Sequence, residues 1–253
     1  MTKEFEDIHE LLSVGSYSKA ENKLKRINES SLEPLGKIEW NYLFGICLFE
    51  SGKLEQAIAQ FNTCLTIAKD NAIEINDSGI NYEISIAYYK LFFICKEAAY
   101  LEKSILFCKK AMDTAINNSL IKQSSGFVVY YEESPMAYIN MLIHLSVLHQ
   151  SKGEFDESLS LLLVAKTICQ HYSNFQLLGQ TYDELGTTYM MLGNQLMAGY
   201  YFIKSVNAKK FINNKRGIEI TLEKHLMSVL RDPQSIQGPE ATRLQKLISG
   251  ERL

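Results

Sequence analysis

The sequence predicts an all-α protein, an array of antiparallel helical hairpins, and three observations carry that prediction. The stretch from Trp40 to Leu65 reads at helical period on both sides of a break at Ser51-Gly52, with Trp40, Phe44 and Leu48 before it and Leu54, Ala57, Ile58, Phe61 and Leu65 after it. The same pattern recurs along the chain. Composition agrees: 46% apolar and 22% charged residues with only 4 Pro and 14 Gly in 253 positions is the profile of an ordered, helix-rich chain.

The recurring unit is a Gly turn, an aromatic residue or Leu two positions on, a small residue five on and a bulky one nine on. It appears as Gly15, Tyr17, Ala20 and Leu24, preceded by Ile8 and Leu11, and again as Gly52, Leu54, Ala57 and Phe61. A third copy is degenerate. Ala99 stands at the turn, followed by Leu101, Ser104 and Cys108, while the helix before it carries Tyr88, Leu91, Phe92 and Cys95. Phe92 falls where the other copies have a small residue, so the two helices splay or the frame shifts by a residue or two. The fourth copy, Gly153, Phe155, Ser158 and Leu162, follows Leu142, Leu145, Ser146 and His149. The fifth places Tyr182, Leu185, Gly186 and Tyr189 before Gly193, Ala198 and Phe202.

Small residues where two helices approach closely, Gly45 against Ala57 above all, make this pattern similar to the tetratricopeptide repeat. The resemblance covers most of residues 1 to 213 and implies a right-handed superhelix. Five hairpins and two terminal helices make about twelve helices. Successive turns are 37, 47, 54 and 40 residues apart, longer than the usual repeat of about 34. In that respect the chain looks like the bacterial peptide-pheromone receptors with repeats of roughly 40 residues. Those often carry an N-terminal helix-turn-helix, whereas this sequence opens in its first repeat, so a DNA-binding regulator is not the expectation.

The extra length is expected in a long third helix A starting near Asn71 and in an insertion at about 117–134. There Ser124-Ser125-Gly126 is turn chemistry and Phe127 to Tyr131 a short β-favouring run, read as a packed loop because a lone strand has no partner. Ser134-Pro135 restarts the helix. The expected organisation is thus 1–216 as five hairpins and 217–253 as capping helices. Asn213 to Gly217 form a turn, Ile218 to Leu230 an amphipathic helix stopped at Asp232-Pro233, and Pro239 to Ile248 a last helix.

Twenty-six basic against 29 acidic residues, net −3, offer no excess to hold a phosphate backbone, so no nucleic-acid partner is expected. The acidic, amphipathic start MTKEFEDIHELL has no leader pattern, and the most apolar runs are too short for a bilayer that needs ~20 residues. No membrane partner follows, and a cytoplasmic protein does. Cys47, Cys64, Cys95, Cys108 and Cys169 show no CxxC spacing and sit in helical patterns, as small core residues in a reducing compartment.

No catalytic constellation stands out, and neither a cofactor nor a metal is expected. Ser124-Ser125-Gly126 lacks the glycines and lysine of a phosphate loop. His144 and His149 are five apart, on different helix faces, so a metal pair at i, i+4 is not available. Cys169 and His171 lack an orienting carboxylate.

The resemblance puts the A helices on a concave, ligand-facing side. There it places Tyr42, Ile46 and Phe49, then Tyr89, Lys90 and Phe93, then Asn140, Ile143, His144 and Val147, then Gln180, Asp183 and Thr187. Tyr42, Ile46, Phe49, Tyr89, Lys90, Phe93, Asn140, His144 and Asp183 are the candidate partner-binding residues. The competing reading is that the aromatic ones are core. Family members that grip chaperone tails use Lys, Asn and Arg here, and these positions are mainly apolar or acidic. The expectation is a non-enzymatic adaptor that binds a protein or peptide, with a peptide-sensing regulator as its alternative.

Overall fold

The computed structural model describes residues 3–124 and 134–226, and every regular element among them is helical. They form two compact units, Met1–Val129 and Tyr130–Leu253. In the first, α1 (Lys3–Ser13) packs on α2 (Tyr17–Leu24), α3 (Pro34–Glu50) on α4 (Leu54–Asp70) and α5 (Ser78–Cys95) on α6 (Ala98–Ser124), with a 3₁₀ turn at Glu29–Ser31 before α3. In the second, α7 (Ser134–Lys152) packs on α8 (Phe155–His171) and α9 (Phe175–Met191) on α10 (Gln195–Phe211). There α11 (Lys215–Ile220) runs on into a π-helical turn, Thr221–Leu226, that lies against α10.

The hairpins close where the sequence pattern puts small residues. Ala20, Ala57, Ser104, Ser158 and Ala198, each five positions into the pattern, are completely buried, as are the residues four further on, Leu24, Phe61, Cys108, Leu162 and Phe202. A Cβ placed on Gly45 would lie 2.6 Å from the Phe61 ring, and one on Gly186 would collide with Phe202 in the same way. Glycine at these positions is therefore a packing requirement. Besides Lys96, seven helix ends among the described residues turn through a left-handed residue, Gly15, Gly52, Ala72, Gly153, Ser173, Gly193 and Asn213. In each, the next N–H reaches back to a carbonyl five residues earlier at 2.8–3.0 Å, which satisfies a backbone group the helix would leave open.

The third hairpin departs from the expected frame. Its turn lies at Lys96, with φ of 60°, not at Ala99, and its small A-helix residue is Ser85, not Phe92. Ser85 and Ser104 are fully buried and donate hydroxyl hydrogen bonds to each other's backbone carbonyls at 2.8 and 2.7 Å. The matched small pairs Gly45/Ala57, Ser146/Ser158 and Gly186/Ala198 are 12 residues apart, whereas Ser85 and Ser104 are 19 apart. The seven extra residues lengthen each helix by one turn at the tip, so the buried faces stay in phase.

Other expectations are corrected as well. The third A helix begins at Ser78 rather than near Asn71, because Ala72 takes a left-handed conformation and Ile73 N–H closes α4 on Ala68. Residues 117–124 of the expected insertion continue α6, and Phe127 to Tyr131 lie outside the described residues. The helix after Asn213 starts at Lys215, three residues earlier than the pattern suggests, because the Asn214 side chain accepts a hydrogen bond from Gly217 N–H at 2.9 Å and caps it. Positions beyond 226, including the expected helix at 239–248, lie outside the described residues. Four cysteines are buried, but Cys95 is exposed because it sits on the extra turn of α5.

Candidate functional site

The face that α3 and α5 turn away from their B helices is where the first unit concentrates unusual side chains. On α3 the residues at helical spacing are Leu35, Glu39, Tyr42, Ile46 and Glu50, with Phe49 beside the last. On α5 the set phased on Ser85 is Gly79, Glu83, Ile86 and Lys90. Tyr42 and Ile46 are half-buried against the core, and the Tyr42 ring lies 5.9 Å from that of Phe61. Phe49 is buried, and Lys90 Nζ sits 3.7 Å above its ring centre, a cation–π contact that joins the two helices.

Glu83 is the residue the sequence reading missed. Burial pushes its carboxyl up to about 7, with Glu50 adding to the rise and Lys90 opposing it, and no hydrogen bond from the described residues supports its charged form. Burial, then the Glu83 charge and then Cys64 push the Tyr42 phenol up to about 12. A signal existed: Glu83 falls on the Gly79–Lys90 face once α5 is phased on Ser85.

Where the face reaches the start of both helices it deepens into a cavity of about 840 Å³. Leu35, Ile38, Tyr42, Gly79 and Ile80 line it, together with the side chains and backbone of residues 31–33. Its charged lining residues are Glu33 and Glu39, with no Lys or Arg among them. His9 Nε2 holds Glu39 at 3.0 Å.

Tyr89 and Phe93 do not join this face. They form a separate aromatic group at the hairpin tip, where Tyr89 lies 6.2 Å from Phe92 and 6.0 Å from Phe93, and Lys96 Nζ lies 4.1 Å from the Phe93 ring centre. Phe93 is 61% and Ile94 71% exposed.

The candidates of the second unit are engaged in the fold. Asp183 pairs with the buried Lys209 through a very short contact, and Thr221 donates to its other oxygen at 3.0 Å, which ties α9, α10 and the π turn together. Lys209 crosses Gly179, where a Cβ would lie 3.1 Å from its stem. Asn140 is half-buried on α7. Burial pulls His144 down to about 4, so its ring is neutral near pH 7. His149 is structural, its Nδ1 2.6 Å from Glu154 Oε2. Gln150 donates to Thr188 at 2.9 Å in a buried link between α7 and α9. Among the described residues no group of three or more His, Cys, Asp or Glu could hold a metal ion, and no helix is long and apolar enough to cross a membrane.

Paired helices of about this length, closed by a small residue in each, are the architecture of tetratricopeptide-type repeat proteins. Solved structures share this fold with the chain. It is similar to the apo form of RapI, with a TM-score of 0.69 and 14% identity over 93% of this chain and 58% of that one. It is also similar to NprR in complex with its cognate peptide NprX, with a TM-score of 0.64 and 17% identity over 98% and 64% of the two chains. A third match is the Rap conjugation gene regulator of plasmid pLS20 in complex with the Phr* peptide, with a TM-score of 0.59 and 16% identity over 87% and 55%. The chain thus spans less than two thirds of the length of each. No protein-family model matches the sequence, and no curated protein is similar to it.

Proposed function

We propose that this protein is a non-enzymatic peptide-binding regulator of the receptor kind, with the A-helix face of α3 and α5 as its peptide site. The observation that carries the reading is the juxtaposition of Tyr42, Ile46 and the Phe49–Lys90 contact with a carboxylate, Glu83, that the described fold leaves without a hydrogen bond. Aromatic and aliphatic anchors supply binding energy, and the charges beside them set register and sign. Two of the similar structures hold bound peptides, which supports the receptor over the adaptor. The second reading, an adaptor for a folded protein, is favoured by Phe93 and Ile94 at the exposed tip of the third hairpin.

Affinity purification from the native cytoplasm, followed by mass spectrometry of what denaturation releases, separates the two. A short peptide retained by the parent and lost on Lys90→Ala supports the receptor. A protein retained by the parent and lost on the exposed double change Phe93→Ser with Ile94→Ser supports the adaptor and overturns the peptide site.

A further inference from the structure

The cavity at the N-terminal ends of α3 and α5 differs from the rest of the face in three ways. Its volume of about 840 Å³ is within the usual range of ~300–1,000 Å³ for ligand pockets. Its charge is of one sign: Glu33 and Glu39 are on its lining, and Glu83 lies further along the same face of α5. Its lining includes an exposed helical glycine that no turn requires. Gly79 sits in the first turn of α5 without a positive φ, and a Cβ there would meet nothing within 4 Å. A glycine inside a helix is normally disfavoured by up to ~1 kcal/mol relative to alanine. At this exposed position in the first turn neither a positive φ nor a close neighbour requires glycine, and a larger side chain has free space toward the cavity.

We propose that this cavity is the anchor subsite of the peptide site, and that it takes an aliphatic or aromatic side chain standing next to a cationic group of the same peptide. The inference rests on the peptide-binding reading and names its ligand class. The apolar surfaces of Leu35, Ile38 and Ile80 give the anchor its contact area, while Glu33 and Glu39 repel an acidic neighbour and attract a basic one. His9 engages Glu39 and Glu33 is exposed, so Glu33 is the carboxylate more available to the ligand.

The test is selection from a phage-displayed random heptapeptide library on the wild-type protein, followed by fluorescence anisotropy with the enriched peptides in synthetic, dye-labelled form. Gly79→Leu should project into the cavity and weaken the selected peptides at least ten-fold while the melting temperature holds, since a side chain there meets no neighbour. Glu33→Gln, at an exposed position whose side chain makes no capping bond, should weaken them about three-fold. Acetylating the peptide terminus, or replacing its Lys by norleucine, tells whether the cation is terminal or on a side chain. An enriched set that is acidic, or one that Lys90→Ala weakens and Gly79→Leu does not, overturns the subsite and leaves the peptide reading standing. If wild type enriches nothing, the peptide reading falls and the subsite with it.

Discussion

The two units solve the same packing problem with different regularity. In the second, helices start at Phe155, Phe175, Gln195 and Lys215, a period of 20 residues, and three of the four start behind an asparagine whose side chain caps the helix. In the first, the connection over 71–77 and the extra turns of α5 and α6 break the cadence. The regular unit spends its polar side chains internally, as in Asp183–Lys209–Thr221 and Gln150–Thr188. The irregular one leaves a cavity, a carboxylate without a hydrogen bond from the described residues and an exposed aromatic tip. On the peptide-binding proposal, departures from the repeat rule mark the ligand site and adherence to it marks scaffold.

The largest expected effect tests whether the cores are equivalent despite that difference. Phe61→Ala and Phe202→Ala each remove a fully buried ring packed on a glycine, and each should cost ~3–5 kcal/mol in urea unfolding. A cost under ~1 kcal/mol for either would show that the two hairpins are not built alike.

A second prediction sharpens the comparison by sign. Glu83, raised from 4.5 to about 7, holds a proton in the folded state that the unfolded chain has released, so its contribution is fully present below pH 4.5 and is lost as pH rises toward and through 7. His144, lowered from 6.5 to about 4, is neutral when folded, and its contribution is present above pH 6.5 and lost as pH falls toward 4. Each should shift stability by ~1–3 kcal/mol across its window. Glu83→Gln should flatten the decline between pH 5 and 7.5, and His144→Gln the decline between pH 6.5 and 4.5. Parallel melting-temperature curves for parent and variants would contradict the assignments.

The smallest effect concerns the cadence itself. Asn194→Ala should cost ~1 kcal/mol, because it removes an acceptor 3.1 Å from Met197 N–H. Lys53→Ala, at a helix start with no side-chain cap, should cost almost nothing by comparison. Equal costs would mean that the asparagines do not set the 20-residue spacing.

The B helices were legible because Ala20, Ala57, Ser158 and Ala198 each stand five residues after a turn glycine, and a small residue about a turn and a half into the helix is a local signal. The phase of α5 was not legible. Its turn residue is Lys96 rather than glycine, and Phe92 occupied the expected small position while Ser85, seven residues earlier, did the packing. That shift separated Tyr89 and Phe93 from Tyr42 and Phe49, and it hid Glu83. Asp183 looked like a surface acid because its partners stand 26 and 38 residues further along the chain, beyond any local pattern.

The lengthened third hairpin also sets a rule for altering the molecule. Because a helix repeats every 3.6 residues, material can be added at a hairpin tip in steps of about seven, one turn up and one turn down, with every buried pair below left in register. The span from Ser85 to Ser104 is one such step longer than the matching spans of the other hairpins. The tip therefore behaves as a telescoping joint: an engineer could withdraw a heptad to retract the aromatic knob, or extend it by another to display a chosen epitope, without rewriting the core.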